Sequence, residues 1–168
     1  MLPDLALIPD DCRLEIEREF DAPRELVWKM FADPYHLSRW WGPKGFTNPV
    51  VELDFRVGGR WHHVMRGPDG RDYPADSEFI EIVPPERLVW RDAPDAYRFG
   101  DELPPPQMVT EMTLSEEVGR TTIEVTVRFT SVAARDEAIA RGFATTVLEG
   151  SEKLDVYLPT IAAGAAGN

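Results

Sequence analysis

A single cysteine, Cys12, stands among the 168 residues. One thiol closes no disulfide within the chain and cannot supply a zinc quartet. Cys12 reads as an inert thiol near the start of a strand. No apolar run approaches the ~20 residues of a membrane span, so insertion into a membrane is not expected. Positive charge is scarce: 18 Lys and Arg stand against 30 Asp and Glu, a formal net charge of -12 at pH 7. A nucleic-acid binder needs a basic stripe that grips phosphates and releases counterions. An anionic membrane surface asks for the same. Both partners are disfavoured, and the acidity reads as solubility. The start, Met1 to Asp11, is acidic and carries Pro3 and Pro9, unlike a secretory leader, so the expected location is cytoplasmic. The phosphate-gripping glycine loop, His-Glu-x-x-His and Gly-x-Ser-x-Gly are all missing. His62 and His63 would point to opposite faces of a strand, and His36 is distant. Neither a metal site nor a cofactor is expected.

Bulky apolar material is plentiful, with eight Phe, five Trp and four Tyr in a chain that is 43% hydrophobic. This length suits one core and one domain. The expected division is an extension over 1–11, a single domain over 12–160 and a flexible, Gly-rich tail over 161–168. Leu14, Ile16 and Phe20 alternate with glutamates, which predicts a strand with one wet face; Arg18 interrupts that pattern. Asp21-Ala22-Pro23 predicts a helix start, capped near Asp21 or Ala22 with Pro23 in the first turn. A second short helix after Pro34 would carry Leu37, Trp40 and Trp41. Six strands are expected next, over about Val50 to Val57, Arg60 to Arg66, Phe79 to Val83, Leu88 to Arg91, Met108 to Val118 and Thr121 to Thr130. Gly58-Gly59 and Asp69-Gly70 supply turns, and the proline-rich, acidic segment Asp92 to Pro106 reads as a mobile loop. Val132 to Arg141, with Ser131 as its cap, and Phe143 to Leu158, stopped by Pro159, read as helices. Strands joined by tight turns make an antiparallel sheet, and the amphipathic last helix must bury its stripe against it. The fold class is therefore α+β.

Several segments resemble one family. Phe20-Asp21-Ala22-Pro23-Arg24-Glu25-Leu26-Val27-Trp28 is similar to its opening, and Trp40-Trp41-Gly42-Pro43-Lys44-Gly45-Phe46-Thr47 to its most recognisable motif. Gly58-Gly59-Arg60-Trp61, Gly67-Pro68-Asp69-Gly70, Glu81 to Val89 and Leu154 to Leu158 follow in the expected order, so the match spans about residues 13–158. The chain resembles the Hsp90-ATPase-activator-homologue branch of the START/Bet v 1-like superfamily. The resemblance implies a helix-grip fold: a curved antiparallel sheet wrapped around a long C-terminal helix, two short helices after the first strand, and a cavity between sheet and long helix. It also implies three departures. Thr146 and Val147 replace a Gly-Trp pair, Ser151 replaces a Leu, and His63 replaces an aromatic residue.

On the last helix, Phe143, Val147, Gly150, Leu154 and Leu158 recur at spacings of three and four. Gly150 costs about 1 kcal/mol against Ala inside a helix. With Ser151 beside it, Gly150 either widens a ligand chamber or allows close packing on the sheet. On the strand from Arg60, alternation points Trp61, His63 and Met65 inward. His63 could hydrogen-bond a ligand, act as acid or base, or be a structural histidine bonded to a neighbour. Trp40, Trp41, Phe46, Trp61, Phe79 and Trp90 could line a pocket or simply fill the core. Adjacent tryptophans at a helix end should not both face one core, so one of Trp40 and Trp41 would be a lid or a partner contact. Met108 and Met112 are expected to face the helix. Glu81 shares strand parity with Phe79; it would be a pocket acid, or pair with Arg60 or Arg66.

These candidates support three functions. The first is a carrier or sensor of a small hydrophobic molecule, bound between sheet and last helix. The second is a cyclase- or hydrolase-type enzyme with His63 or Glu81 as the acid or base. The third, implied by the resemblance, is a module that acts on a chaperone. Monomer and homodimer are both compatible with the sequence.

Overall fold

The computed structural model describes residues 5–8, 12–93 and 108–166. In chain order the elements are β1 (Leu5–Ile8), β2 (Arg13–Phe20), α1 (Arg24–Ala32), α2 (Pro34–Trp40), β3 (Thr47–Leu53), β4 (Arg60–Arg66), β5 (Asp72–Val83), β6 (Arg87–Asp92), β7 (Val109–Glu117), β8 (Arg120–Arg128), α3 (Val132–Ala140) and α4 (Phe143–Ala166). The strands form one antiparallel, open sheet in the order β1-β2-β8-β7-β6-β5-β4-β3. The α+β, helix-grip expectation holds. The inner face is covered by α4, whose Leu154 and Leu158 pack with Met112, Leu114 and Ile123 of β7 and β8. None of the helices among the described residues is long and apolar enough to cross a membrane.

Local sequence explains most of this. Leu14, Ile16 and Phe20 of β2 are buried. Arg18, which breaks their alternation, reaches Asp155 of α4 at 3.4 Å. The hydroxyl of Ser131 accepts the Ala134 N–H and caps α3 as expected. The side chain of Asp33 does the same for α2 through Tyr35 N–H.

Five expectations need correction. The cap of α1 is Pro23, which has no side-chain acceptor to offer. Glu116 of β7 accepts the Arg24 N–H at 2.6 Å instead. The first strand after the helices begins at Thr47 and ends at Leu53, with a bulge between Thr47 and Val50 around Pro49. The strand expected from Phe79 begins at Asp72 and contains Pro74. Among the described residues Pro74 is paired with Val64 of β4, and β6 covers β5 from Ser77 onward. The last helix runs through Pro159 to Ala166. Pro159 and Asp155, whose carbonyl loses its partner, both face solvent, where water can replace that bond. Finally, Leu5–Ile8 pairs antiparallel with β2 and adds an eighth strand. The loop expected over Asp92 to Pro106 lies outside the described residues from 94 onward, while Asp92 itself ends β6.

Candidate functional site

Register builds the inner face of β4, β5 and β6. Trp61 stands opposite Ser77, and Ser77 opposite Asp92. Phe79 stands opposite Trp90, and Trp90 opposite Thr110. Two residues along β4 from Trp61 comes His63. Cross-strand partners share a face, and the burial of Trp61, His63 and Phe79 marks this face as the inner one.

Trp61 is the hub of an aromatic group. Its ring centroid lies 4.7 Å from Trp41, 5.1 Å from His63, 5.6 Å from Trp90 and 6.4 Å from Phe79. Trp41 also meets His63 at 6.0 Å and Trp40 at 5.4 Å. Both adjacent tryptophans therefore join one core, contrary to expectation. Trp40 is buried with its Nε1–H donated to Met30 O at 3.1 Å, and the half-buried Trp41 leans over β4. The chain turns outward at Trp41, which ends α2 in an extended conformation, so successive side chains still reach the same core.

The loop after α2 is held from α4. Lys153 Nζ donates to the carbonyls of Trp41, Gly42, Pro43 and Phe46 at 3.2, 3.3, 3.2 and 3.2 Å. Asn48 adds a donor to Trp41 O at 2.9 Å. Gly150 allows the approach: a Cβ there would stand 3.3 Å from Gly42 O. Of the two readings of Gly150, the contact is close packing, against this loop. Met65 and Phe46 sit at the loop's base. A Cβ on Gly42 would meet Met65 Sδ at 3.0 Å, and Phe46 packs on Tyr73 at 5.8 Å. Ser151 is buried, with its hydroxyl donated to Leu148 O at 2.7 Å. Met112 and Leu154 are buried in the same core as Trp61. Met108, Phe143 and Val147 belong to a second apolar cluster and stand apart from the aromatic group.

Two polar atoms in this core have no hydrogen-bond partner among the described residues, Trp61 Nε1 and His63 Nδ1. Burial pushes the His63 pKa down to about 4, helped by neighbouring His62 and opposed by Asp76. His63 is therefore neutral at pH 7, and among the described residues no neighbour bonds its Nδ1, as a structural histidine would require. Asp92 runs the other way: burial raises its pKa to about 6, against a hydrogen bond from Met108 N–H.

Glu81 is not in this group. The bulge between Phe79 and Glu81 reverses the alternation, so Glu81 lies opposite Val89 on the outer face. Its partner is Arg87, at 3.0 Å, rather than Arg60 or Arg66. Asp92 and Lys153 were missed in the sequence. Parity with Leu88 and Trp90 would have turned Asp92 inward, whereas no local pattern marks Lys153. Among the described residues no cluster of His, Cys, Asp and Glu could hold a metal ion.

Comparison with known proteins agrees with this architecture. A family model described as Activator of Hsp90 ATPase homolog 1-like protein matches residues 21–158. A solution structure of a protein from Arthrobacter aurescens is similar with a TM-score of 0.84 and 25% identity, over 95% of this chain and 93% of that one. A crystal structure of a protein from Mycobacterium smegmatis gives 0.80 and 28%, over 92% and 95%. The AHSA1 protein from Silicibacter pomeroyi, at 0.68 and 21% over 88% and 98%, shares the fold. No curated protein sequence matches the chain.

Proposed function

This chain belongs to the Activator of Hsp90 ATPase homolog 1-like family, and from that premise we propose that it is a carrier or sensor that binds a small, mainly apolar molecule between the inner face of the sheet and α4. One observation carries the reading: the unpartnered pair Trp61 Nε1 and His63 Nδ1, side by side in an aromatic core. A buried polar atom without a partner costs about 1–3 kcal/mol. Native folds keep few of them, and a ligand that supplies the missing bond is one reason to keep two together. Affinity comes from apolar surface at roughly 25 cal/mol per Å², less the entropy of association. Trp41, held over β4 by Lys153, closes the aromatic side.

Native mass spectrometry of freshly purified protein tests this directly. The expected result is a co-purified small molecule, or, after its removal, a rise in melting temperature with apolar ligands that His63→Phe alters. A panel spanning all apolar classes that leaves the melting temperature unchanged would overturn the proposal.

The family's description favours a second reading, in which the chain acts on an Hsp90-type chaperone. Stimulation of the chaperone's ATPase by the purified chain supports that reading, and absence of both binding and stimulation removes it. The enzyme reading loses Glu81 to the outer face and would rest on His63 with Asp92.

A further inference from the structure

We infer that the ligand presents to Trp61 and His63 an uncharged acceptor oxygen, such as a ketone, ester or amide carbonyl, rather than a carboxylate or an amine. The inference rests on the ligand-binding reading above and specifies the chemistry of its polar end.

An indole Nε1–H is a donor with no acceptor capacity. In Trp61, which is 3% exposed, that donor is unpaired. Only an acceptor can complete it. His63, 5% exposed, has an unpaired Nδ1 in a ring kept neutral by burial. With its proton on Nδ1 the neutral ring is a second donor, and it offers no positive charge to balance an anion.

The charges around the pair are committed elsewhere. On β4, His62 points to the outer face and its Nδ1 meets Asp76 at 2.9 Å. On α4, the Lys153 ammonium is enclosed by four backbone carbonyls. On β2, Arg18 reaches Asp155. The group that β6 turns to this face is a carboxyl, Asp92, in register with Trp61 through Ser77. A carboxylate ligand would bury its charge beside an acid without a cation to pair with, which is among the costliest placements in a protein. An amine would suit Asp92 but brings donors only, and leaves the Trp61 donor unpaired. An uncharged carbonyl satisfies the donors and buries no charge.

The test uses three probes of matched length: methyl nonyl ketone, decanoate and decylamine, titrated into the full-length ¹⁵N-labelled protein at neutral pH. The five tryptophans give five indole N–H signals. Trp61→Phe assigns the one of interest; cross-peaks to the His63 ring assign it if that variant does not fold. The ketone should bind about tenfold more tightly than either charged probe, the value of one well-made hydrogen bond plus an avoided buried charge. The Trp61 indole proton should move downfield as the ketone binds. His63→Phe should weaken the ketone several-fold (on the order of one lost hydrogen bond) and the charged probes little. If decanoate or decylamine matches the ketone, or the ketone binds without moving the Trp61 signal, this inference falls and ligand binding stands. If no probe binds while the wider apolar panel raises the melting temperature, this inference falls alone; if the panel also does nothing, the ligand-binding reading falls with it.

Discussion

The inner face of the sheet carries two cores that meet at Val125 and differ in how they treat polar atoms. The aliphatic core, around Leu14, Val127, Ala138 and Leu148, encloses Arg135. That guanidinium is 6% exposed, yet it bonds Asp136 at 3.2 Å and Arg13 O at 3.4 Å. The aromatic core is closed in the same way where the α1–α2 corner packs: Trp40 Nε1 has Met30 O, and Thr121 Oγ1 donates to Ala22 O at 2.7 Å. Among the described residues of this core, Trp61 and His63 along β4 are left open. Stability alone would replace such atoms with carbon. Asn48 Oδ1 is also unpaired among the described residues, but at Trp61 and His63 two such atoms sit on neighbouring rings of one apolar core, a cost of the kind a fold keeps for a site.

Two substitutions should separate the cores most widely. Leu14 is 0% exposed in the aliphatic core, and Leu14→Ala should cost about 2–5 kcal/mol through lost transfer energy and the cavity left behind. His63→Phe should do the reverse in the ligand-free protein, gaining about 1–2 kcal/mol as an unpaired polar atom leaves. Urea midpoints at constant m-value measure both. A His63→Phe variant that loses stability would mean the ring has a partner, and the contrast between the cores would be gone.

Acid should expose the same contrast from within the aromatic core. The His63 ring titrates ordinarily near 6.5 but is held to about 4 in the fold. The unfolded chain therefore takes up the proton first as pH falls. Stability from the neutral ring is whole above 6.5 and is lost as pH drops toward 4. Asp92 is raised from 3.8 to about 6, so its contribution is whole below 3.8 and is lost as pH rises through 6. Each amounts to about 3 kcal/mol at most, and the two nearly offset in the native sequence. Against the His63→Phe, Asp92→Asn double variant as baseline, Asp92→Asn alone should lose stability between pH 6.5 and 4. His63→Phe alone should gain it over the same range. Parallel curves would show that neither group is as buried as the register places it.

Much of the fold was legible because its signals are local. β4 begins and ends at the residues that alternation picks out, and Ser131 caps α3 where a serine should. The errors arise where a distant partner overrides the local rule. Pro74 sits inside a strand that pairs with β4, and Glu116, far along the chain, caps α1 in place of a local side chain. For the site, Trp61 and His63 follow from parity, whereas Glu81 was misplaced by a bulge that no residue type announces. The lack of a hydrogen-bond partner at Nδ1 and Nε1 among the described residues, and the four carbonyls around Lys153, are long-range facts with no sequence pattern.

Lys153 offers a smaller effect that acts on one side only. Lys153→Met keeps the aliphatic stem but takes away the donor to Gly42 O and Phe46 O, while Trp41 O keeps Asn48 and Pro43 O keeps the Phe46 N–H, at a cost of about 2 kcal/mol for a half-buried charged group. Amide exchange should quicken over residues 41–46 and stay unchanged around Leu14 and Val127. Its neighbour is the control. Glu152 pairs with Lys44 on the surface, and Glu152→Gln should leave the melting temperature unmoved, as exposed ion pairs contribute little. Uniform loosening of both cores in Lys153→Met would mean that the loop is not a separate unit.

The smallest expected effect lies outside both cores and for that reason calibrates the others. The β7–β8 hairpin turns on two residues, Val118 and Gly119, since Glu117 pairs directly with Arg120. Both have positive φ, 51° and 73°, as a tight turn of this hand requires. Glycine adopts that conformation freely, but a β-branched residue is strained in it. The Val118 side chain is 94% exposed, so it recovers nothing through packing. Asparagine tolerates left-handed backbone, and Val118→Asn should stabilise the protein by about 1 kcal/mol. Because the turn shares no partners with either core, that gain should add to the effect of His63→Phe within about 0.5 kcal/mol. Lys153→Met and His63→Phe should not add, since Trp41 links the loop to the His63 ring. A Val118→Asn gain that changes with the residue at 63 would show the sheet passing strain between its end and its aromatic core, and the two cores could no longer be treated as separate regions.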